Sequence, residues 1–238
     1  MPEMLDATVL APDDAATDAL ERMLRSRWSC RAFTPEPVPR SEITRILDLA
    51  RRSPSWCNTQ PWHVHVTEGA GTERLREALR SAVAAGPDAA PDIAFPESYE
   101  GVYRERRRIS GWQLYASLGI DKSDRVASGE QTLRNFDLFD APHVAIVTTE
   151  RALGAYGAVD SGIFVSNFVL AAHSRGIATI PQAALATQAP LIRRHFDLPP
   201  ERQVLLGISF GYADSGHPAN GYRTERQGLG ELVTFVGN

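Results

Sequence analysis

Between Asp160 and Ser174 the chain is apolar on nearly every helical face. A helix of that kind has no side to show to water, so it must be buried by its own chain or by a partner subunit. Gly176 stands where a glycine ends such a helix. Burying it takes a sizeable core, and 238 residues with 43% apolar and 23% charged side chains can supply one. No composition shift, internal repeat or low-complexity tract marks a boundary, so one domain over residues 1–238 is expected.

The other elements follow from periodicity and punctuation. Asp13 to Arg25 reads as a first helix with a basic last turn, and Ser41 to Ala50 as a second, capped by Ser41 or the Pro39 turn and stopped by Pro54. Trp62 to Thr67 is a strand, Thr72 to Ala85 a helix, and Gly86 to Pro96, with three prolines, a surface loop. Tyr99 to Leu118 regains a helical pattern rich in basic residues, followed by a helix over Arg125 to Asn135 and a strand over His143 to Thr149. Pro190 to Phe196 is a short helix, Gln203 to Phe210 a strand, and Leu232 to Val236 a last strand; residues 1–12 are expected to be flexible. Helices and strands mix without regular βαβ repetition, which predicts an α+β layered fold rather than a doubly wound one.

A net charge of -4 gives no global attraction to nucleic acid or to an anionic membrane, which favours a small-molecule partner. Cys30 and Cys57 are too few for a disulfide framework and lack zinc-site spacing, so a cytoplasmic setting is expected. The acidic N-terminus carries no export signal, and no stretch approaches the roughly 20 apolar residues of a membrane span.

Three segments could carry chemistry. Arg27, Ser29 and Arg31, followed by Phe33, offer two guanidiniums and a hydroxyl to a phosphate; the same residues suit a basic helix end in water. Pro54-Ser55-Trp56-Cys57-Asn58-Thr59-Gln60-Pro61-Trp62 is dense in amides, whose paired donor and acceptor match a flavin's pyrimidine edge, though any tight connection uses such residues. Gly176 to Ala184 is small enough for its backbone to approach a flat ligand, or is a plain turn after the buried helix.

Competing constellations are weaker. Gly207-Ile208-Ser209-Phe210-Gly211 satisfies G-x-S-x-G, but the nucleophile elbow needs a helix directly after the serine, and Tyr212 to Gly221 is a loop. Asp214 and His217 lie within that same loop, whereas a triad histidine returns from a separate part of the fold. His63 and His65 share a strand face able to bind a metal, yet nothing completes a site and no metal is expected. Neither G-x-G-x-x-G nor a P-loop is present.

Taken in order, R-x-S-x-R-x-F at Arg27 to Phe33, P-S-x-x-N-x-Q-P-W at Pro54 to Trp62, the buried helix leading to G-I-x-T-x-P-Q at Gly176 to Gln182, and a late arginine resemble the nitroreductase family of FMN oxidoreductases. Glu97 to Asp124, with Tyr103, Arg106, Trp112 and Tyr115, is similar to the helical insertion of the nitrobenzoate-reductase-like branch, near the substrate site. The resemblance implies a central, mostly antiparallel sheet surrounded by helices, in an intertwined homodimer with FMN at the interface. It also implies NAD(P)H as reductant and a nitroaromatic or similar electron-poor acceptor, in ping-pong hydride transfer. Arg27, Ser29 and Arg31 would then surround the FMN phosphate and ribityl chain, with Arg226, or else Arg223, reaching the phosphate. Pro54, Ser55, Asn58 and Gln60 would contact the ring from the other subunit, and Pro181, Gln182, Ala183 and Ala184 would lie beside N5. Several relatives carry Glu-Gly at that last stretch, so here a backbone N–H would serve N5. No side chain is nominated as catalytic. A flavin-binding or flavin-degrading relative of the same fold is the alternative.

Overall fold

The computed structural model of the chain describes residues 13–86 and 90–237. Its centre is a four-stranded sheet of β1 (His63–Thr67), β2 (His143–Glu150), β3 (Ala178–Gln182) and β4 (Arg202–Gly211), in the order β1-β2-β4-β3 with every pairing antiparallel. The helices are α1 (Asp14–Ser26), α2 (Arg40–Ala50), α3 (Ala70–Ala84), α4 (Gly101–Ser117), α5 (Arg125–Leu133), α6 (Gly154–Ser174), α7 (Ala189–His195) and α8 (Leu229–Leu232).

Strand period two explains the layers. On one face of β2, Ala145 and Val147 pack with Ile43 and Ile46 of α2 and with Phe164 and Phe168 of α6. On the other, Val144 and Ile146 pack with Leu75 and Leu79 of α3 and Ile192 of α7. Covered on both sides, β2 is apolar without alternation over most of its length. Gly207 of β4 sits where a methyl group would meet Leu185 Cδ1 at 2.4 Å, so the central strand keeps a glycine there.

The apolar helix expected over Asp160 to Ser174 is α6, one turn and a half longer at its start and closed by Gly176 at φ +73°. It is not buried on all sides by this chain: Tyr156, Val159 and Ile163, one face at i, i+3 and i+7, are exposed. By length and composition the helical stretch 151–174 also reaches what a membrane span needs, contrary to the sequence expectation, but half of it is buried inside the fold.

Three further expectations change. Gly176 to Ala184 is not a plain turn but contains β3, an edge strand. Pro181 is tolerated in β3 because an edge strand has a side that needs no N–H. Leu232 to Val236 is not a strand: α8 ends at Leu232, and Phe235 and Val236 are almost fully exposed. The helix expected over Arg125 to Asn135 is α5, which stops at Leu133, two residues early, whereas α2 starts at the Pro39 turn, one of the two caps expected. Residues 1–12 lie outside the described part of the chain, as do 87–89 of the expected Gly86 to Pro96 loop. The rest of that loop has no helix or strand and is anchored by the buried Asp92, which accepts from Val204 N and pairs with Arg151 and Arg193.

Candidate functional site

Arg27 caps the end of α1, where the backbone turns extended, and the chain then runs along the free edge of β3. Ser29 bridges to Thr179, and Cys30 N donates to Thr179 O at 3.0 Å. Buried Asn220 splints this segment to the C-terminal region. Its Oδ1 accepts from Arg31 N at 2.8 Å, and its Nδ2 donates to Ala32 O at 2.9 Å and Asp214 O at 2.8 Å.

That splint gathers arginines from opposite ends of the chain. Arg27, Arg31, Arg223 and Arg226 line one cavity of about 530 Å³ together with Ser29, Tyr222 and Arg25, the last paired with Glu21, and no Asp or Glu lines it. Among the described residues none of the first four guanidiniums has an ion-pair partner. Their hydrogen bonds go to neutral oxygens: Arg31 to Ser29 O at 3.2 Å, Arg223 to Asn220 O at 2.9 Å, and Arg226 to Thr224 Oγ1 at 2.9 Å. Arg223 also stacks over Trp28 at 4.4 Å from the ring centre. Burial holds the Arg27 guanidinium below its ordinary pKa, and the charge of Arg226 adds to the effect. Crowded cations without acids make a site that a phosphate dianion would relieve.

Arg31 also lines a second cavity of about 220 Å³, whose other walls include Pro181, Gln182, Ala183, Gln131, Asn135 and Phe139. The Gln182 side chain serves the wall of this cavity. It is buried, accepting from Ser209 Oγ at 2.5 Å and donating to Asn135 O at 2.8 Å, so it braces the wall instead of offering an amide to a ligand. Ala184 does not line this cavity; its carbonyl accepts from Thr187 Oγ1.

Phe139 reaches that wall from an unusual turn. Leu138, Phe139 and Asp140 have φ of 57°, 52° and 63°, a left-handed run of non-glycine residues that costs on the order of 1–3 kcal/mol each. The turn is clamped from both sides. Arg76 donates to Asp137 O at 2.9 Å and Ala141 O at 2.7 Å, while Arg134 pairs with Asp137 and Asp140. Asn135, Phe139, Tyr222 and Asn220 were not singled out from sequence. No glycine marks the left-handed turn, and an asparagine in a loop is unremarkable until its partners are seen.

The Pro54 to Gln60 loop stands apart. Pro54, Asn58 and Gln60 are exposed, Ser55 is half-buried, and none lines either cavity. Cys57, Asn58 and Gln60 have positive φ, and Ser55 Oγ accepts from Gln60 N at 2.9 Å. The loop lies against the exposed face of α6: Trp56 N donates to buried Asp160 at 3.1 Å, and the Trp56 ring meets Tyr156 edge-on at 4.6 Å. One chain therefore brings Arg27, Ser29, Arg31 and Arg226 together, sets Pro181 to Ala183 beside them, and keeps the Pro54 loop elsewhere.

The competing sites dissolve. Ser209 is fully buried in β4, and His217 caps a short turn by accepting from Ala219 N, so no hydrolase triad forms. Burial pushes the Cys30 thiol up to about 11, which removes it as a nucleophile at neutral pH. Among the described residues no three His, Cys, Asp or Glu side chains are placed to hold a metal.

Comparison with known proteins shows the family. The family model "Nitroreductase family" matches residues 24–212. A nitroreductase NfnB of Mycolicibacterium smegmatis is 38% identical, over 91% of this chain and 92% of its own length. A 4-nitrobenzoate reductase of Pseudomonas putida is 35% identical, over 93% of this chain and 97% of its own length. Among solved structures, the FMN-dependent nitroreductase NfnB from Mycobacterium smegmatis in complex with NADPH has a TM-score of 0.89, covering 93% of this chain and 100% of that one at 38% identity.

Proposed function

From the premise that the chain belongs to the nitroreductase family, we propose that it is an FMN-dependent oxidoreductase that uses NAD(P)H to reduce nitroaromatic or similar electron-poor small molecules. The observation that carries this reading is the acid-free cavity lined by Arg27, Arg31, Arg223 and Arg226, which shares Arg31 with a smaller cavity at the end of β3. A phosphate of about -1.5 to -2 charge fits the first, with Ser29 nearby to donate a hydroxyl. The second suits a planar ring: Pro181 and Phe139 offer apolar surface, and Asn135 and Gln131 offer amides.

Bound there, FMN would supply the redox chemistry, taking hydride from the reductant and passing it to the acceptor. The chain's own contribution is binding and orientation. Four guanidiniums hold the phosphate, the braced Gln182 fixes the wall of the ring cavity, and the strained turn under Phe139 gives that wall its shape. No Asp, Glu or His lines either cavity, so no side chain there is assigned a proton-transfer role.

The active species we propose is a homodimer. Tyr156, Val159 and Ile163 leave an apolar face on α6 uncovered, and the Pro54 to Gln60 loop, which lines neither cavity of its own chain, packs beside that face; on this reading it serves a partner's ring cavity. The exposed tail residues Leu229, Leu232, Phe235 and Val236 suit an arm laid on that partner. A cytoplasmic setting fits the two free thiols. The kinetic test is an initial-rate grid over NAD(P)H and a nitroarene: a shared site emptied between half-reactions gives parallel double-reciprocal lines, and intersecting lines refute the exchange.

A further inference from the structure

The Pro54 to Gln60 loop is anchored along one stripe of α6. Just before it, the hydroxyl of buried Ser53 accepts from Asn167 Nδ2 at 2.7 Å. Within it, Trp56 N donates to the Asp160 carboxylate at 3.1 Å and the indole meets Tyr156. Just after it, Trp62 stacks on Phe164 with ring centres 5.3 Å apart. Tyr156, Asp160, Phe164 and Asn167 follow one another at steps of four, four and three residues, which sets them on one helix face. Asp160 is the member of this stripe that packing does not explain. It is 6% exposed, and among the described residues no Lys, Arg or His pairs with it. Burying a carboxylate without a cation is costly. Among the described residues, the one hydrogen bond that offsets this cost comes from a loop in which Cys57, Asn58 and Gln60 all hold positive φ. Such a conformation persists only where the surroundings impose it.

We propose that Asp160 is a positioning residue: its charge-assisted hydrogen bond to Trp56 N locks the loop in the left-handed shape that carries Ser55, Asn58 and Gln60 to the flavin ring of the partner subunit. The proposal rests on the homodimeric FMN reading above. α6 carries the loop on one stripe and the bare apolar face of Tyr156, Val159 and Ile163 beside it, so the helix that meets the partner also sets where the loop stands. An ionised acceptor holds an N–H about twice as strongly as a neutral one, which suits a loop whose backbone resists its own shape.

Four variants test it. Asp160→Ala removes the acceptor, and Asp160→Asn keeps an oxygen there without the charge. Trp56→Pro removes the donor from the exposed loop and leaves α6 intact, since Ser55 before it is already extended, as a residue preceding proline must be. Trp56→Ala loses the indole and keeps the N–H. FMN and riboflavin are titrated by fluorescence quenching, with sedimentation to follow the dimer. Asp160→Ala and Trp56→Pro should weaken both flavins by the same factor, roughly tenfold or more, in a protein that remains a dimer. Asp160→Asn should recover most of the loss, and Trp56→Ala should lose less than Trp56→Pro. If Asp160→Ala fails to fold, Trp56→Pro carries the same prediction. A mixed dimer of one Asp160→Ala chain and one Arg226→Ala chain, isolated with two tags, should keep half of its sites at wild-type FMN affinity. One site then takes its loop from the Arg226→Ala chain and its arginines from the Asp160→Ala chain, both undamaged. Flavin affinities left unchanged by Asp160→Ala, lost for FMN alone, or lost only together with the dimer overturn the proposal. So does an Asp160→Asn protein as weak as Asp160→Ala, or a Trp56→Ala protein as weak as Trp56→Pro. A mixed dimer with no wild-type site also overturns it, by placing the loop on its own chain's flavin. Wild-type protein that takes up no FMN removes the functional reading itself, which its own titration shows.

Discussion

Arg226 and Arg223 carry the sharpest residue-level consequence. Each reaches the acid-free cavity from the C-terminal segment, and neither packs in the core. Since a charge-assisted hydrogen bond contributes about 1.5–3 kcal/mol, Arg226→Ala should weaken FMN by roughly 10- to 150-fold. Riboflavin, without the phosphate, should bind wild type and mutant about equally in a fluorescence-quenching titration. Equal loss of both flavins would place Arg226 away from the phosphate. His143 gives a second consequence. Nδ1 donates to Thr67 O and Nε2 accepts from Val38 N, so the buried ring is held neutral, and burial lowers its pKa below the ordinary value. The unfolded imidazole has a pKa of about 6.5. Stability is therefore complete above that pH and falls as pH drops toward the depressed folded value, with a slope of up to about 1.4 kcal/mol per unit from this group. His65, His173 and His195 shift in the same direction, each chiefly through burial. The urea midpoint should fall between pH 7.5 and pH 5.5; a midpoint that rose would contradict the neutral ring.

At the scale of elements, β4 ties the sheet to the site. A methyl group at Gly211 would meet the rigid Pro142 ring at 2.7 and 2.9 Å, where β4 pairs with the start of β3. Gly211→Ala should therefore cost about 1–3 kcal/mol through overpacking, read as a lower urea midpoint; an unchanged midpoint would mean that the strand end yields freely. These elements also show what sequence could and could not disclose. The Arg27 to Arg31 cluster was legible as two guanidiniums flanking a hydroxyl, whereas Arg226 and Arg223 were named only through the family resemblance, with Glu225 standing between them in sequence. β2 and β4 were legible from their β-branched runs. β3 was hidden by Pro181 and Ala178, whose low strand propensity is overridden by pairing with β4. Leu232 to Val236 looked like a strand, but propensity alone makes no ladder, and among the described residues no strand pairs with it. The ring cavity was half-legible: Pro181 to Ala183 were named, whereas Asn135 and Phe139 depend on a left-handed turn whose stabilising arginines, Arg76 and Arg134, are distant or unmarked in sequence.

For the whole molecule, the separation of the Pro54 loop from the arginine cavity is the feature on which the proposed homodimer rests. If a second copy completes the site, Val159→Asp or Ile163→Asp on the bare face of α6 should yield monomers by sedimentation and lower FMN affinity with them. A monomer that kept full flavin affinity would show that each chain builds its own site. The central claim is tested most directly by the visible spectrum of the purified protein reconstituted with FMN, followed anaerobically. The account predicts a bound-flavin band near 450 nm that NAD(P)H bleaches and a nitroarene restores, with FMN released on heating. A protein that takes up no FMN, or holds it in a band that NAD(P)H leaves unbleached, would contradict it.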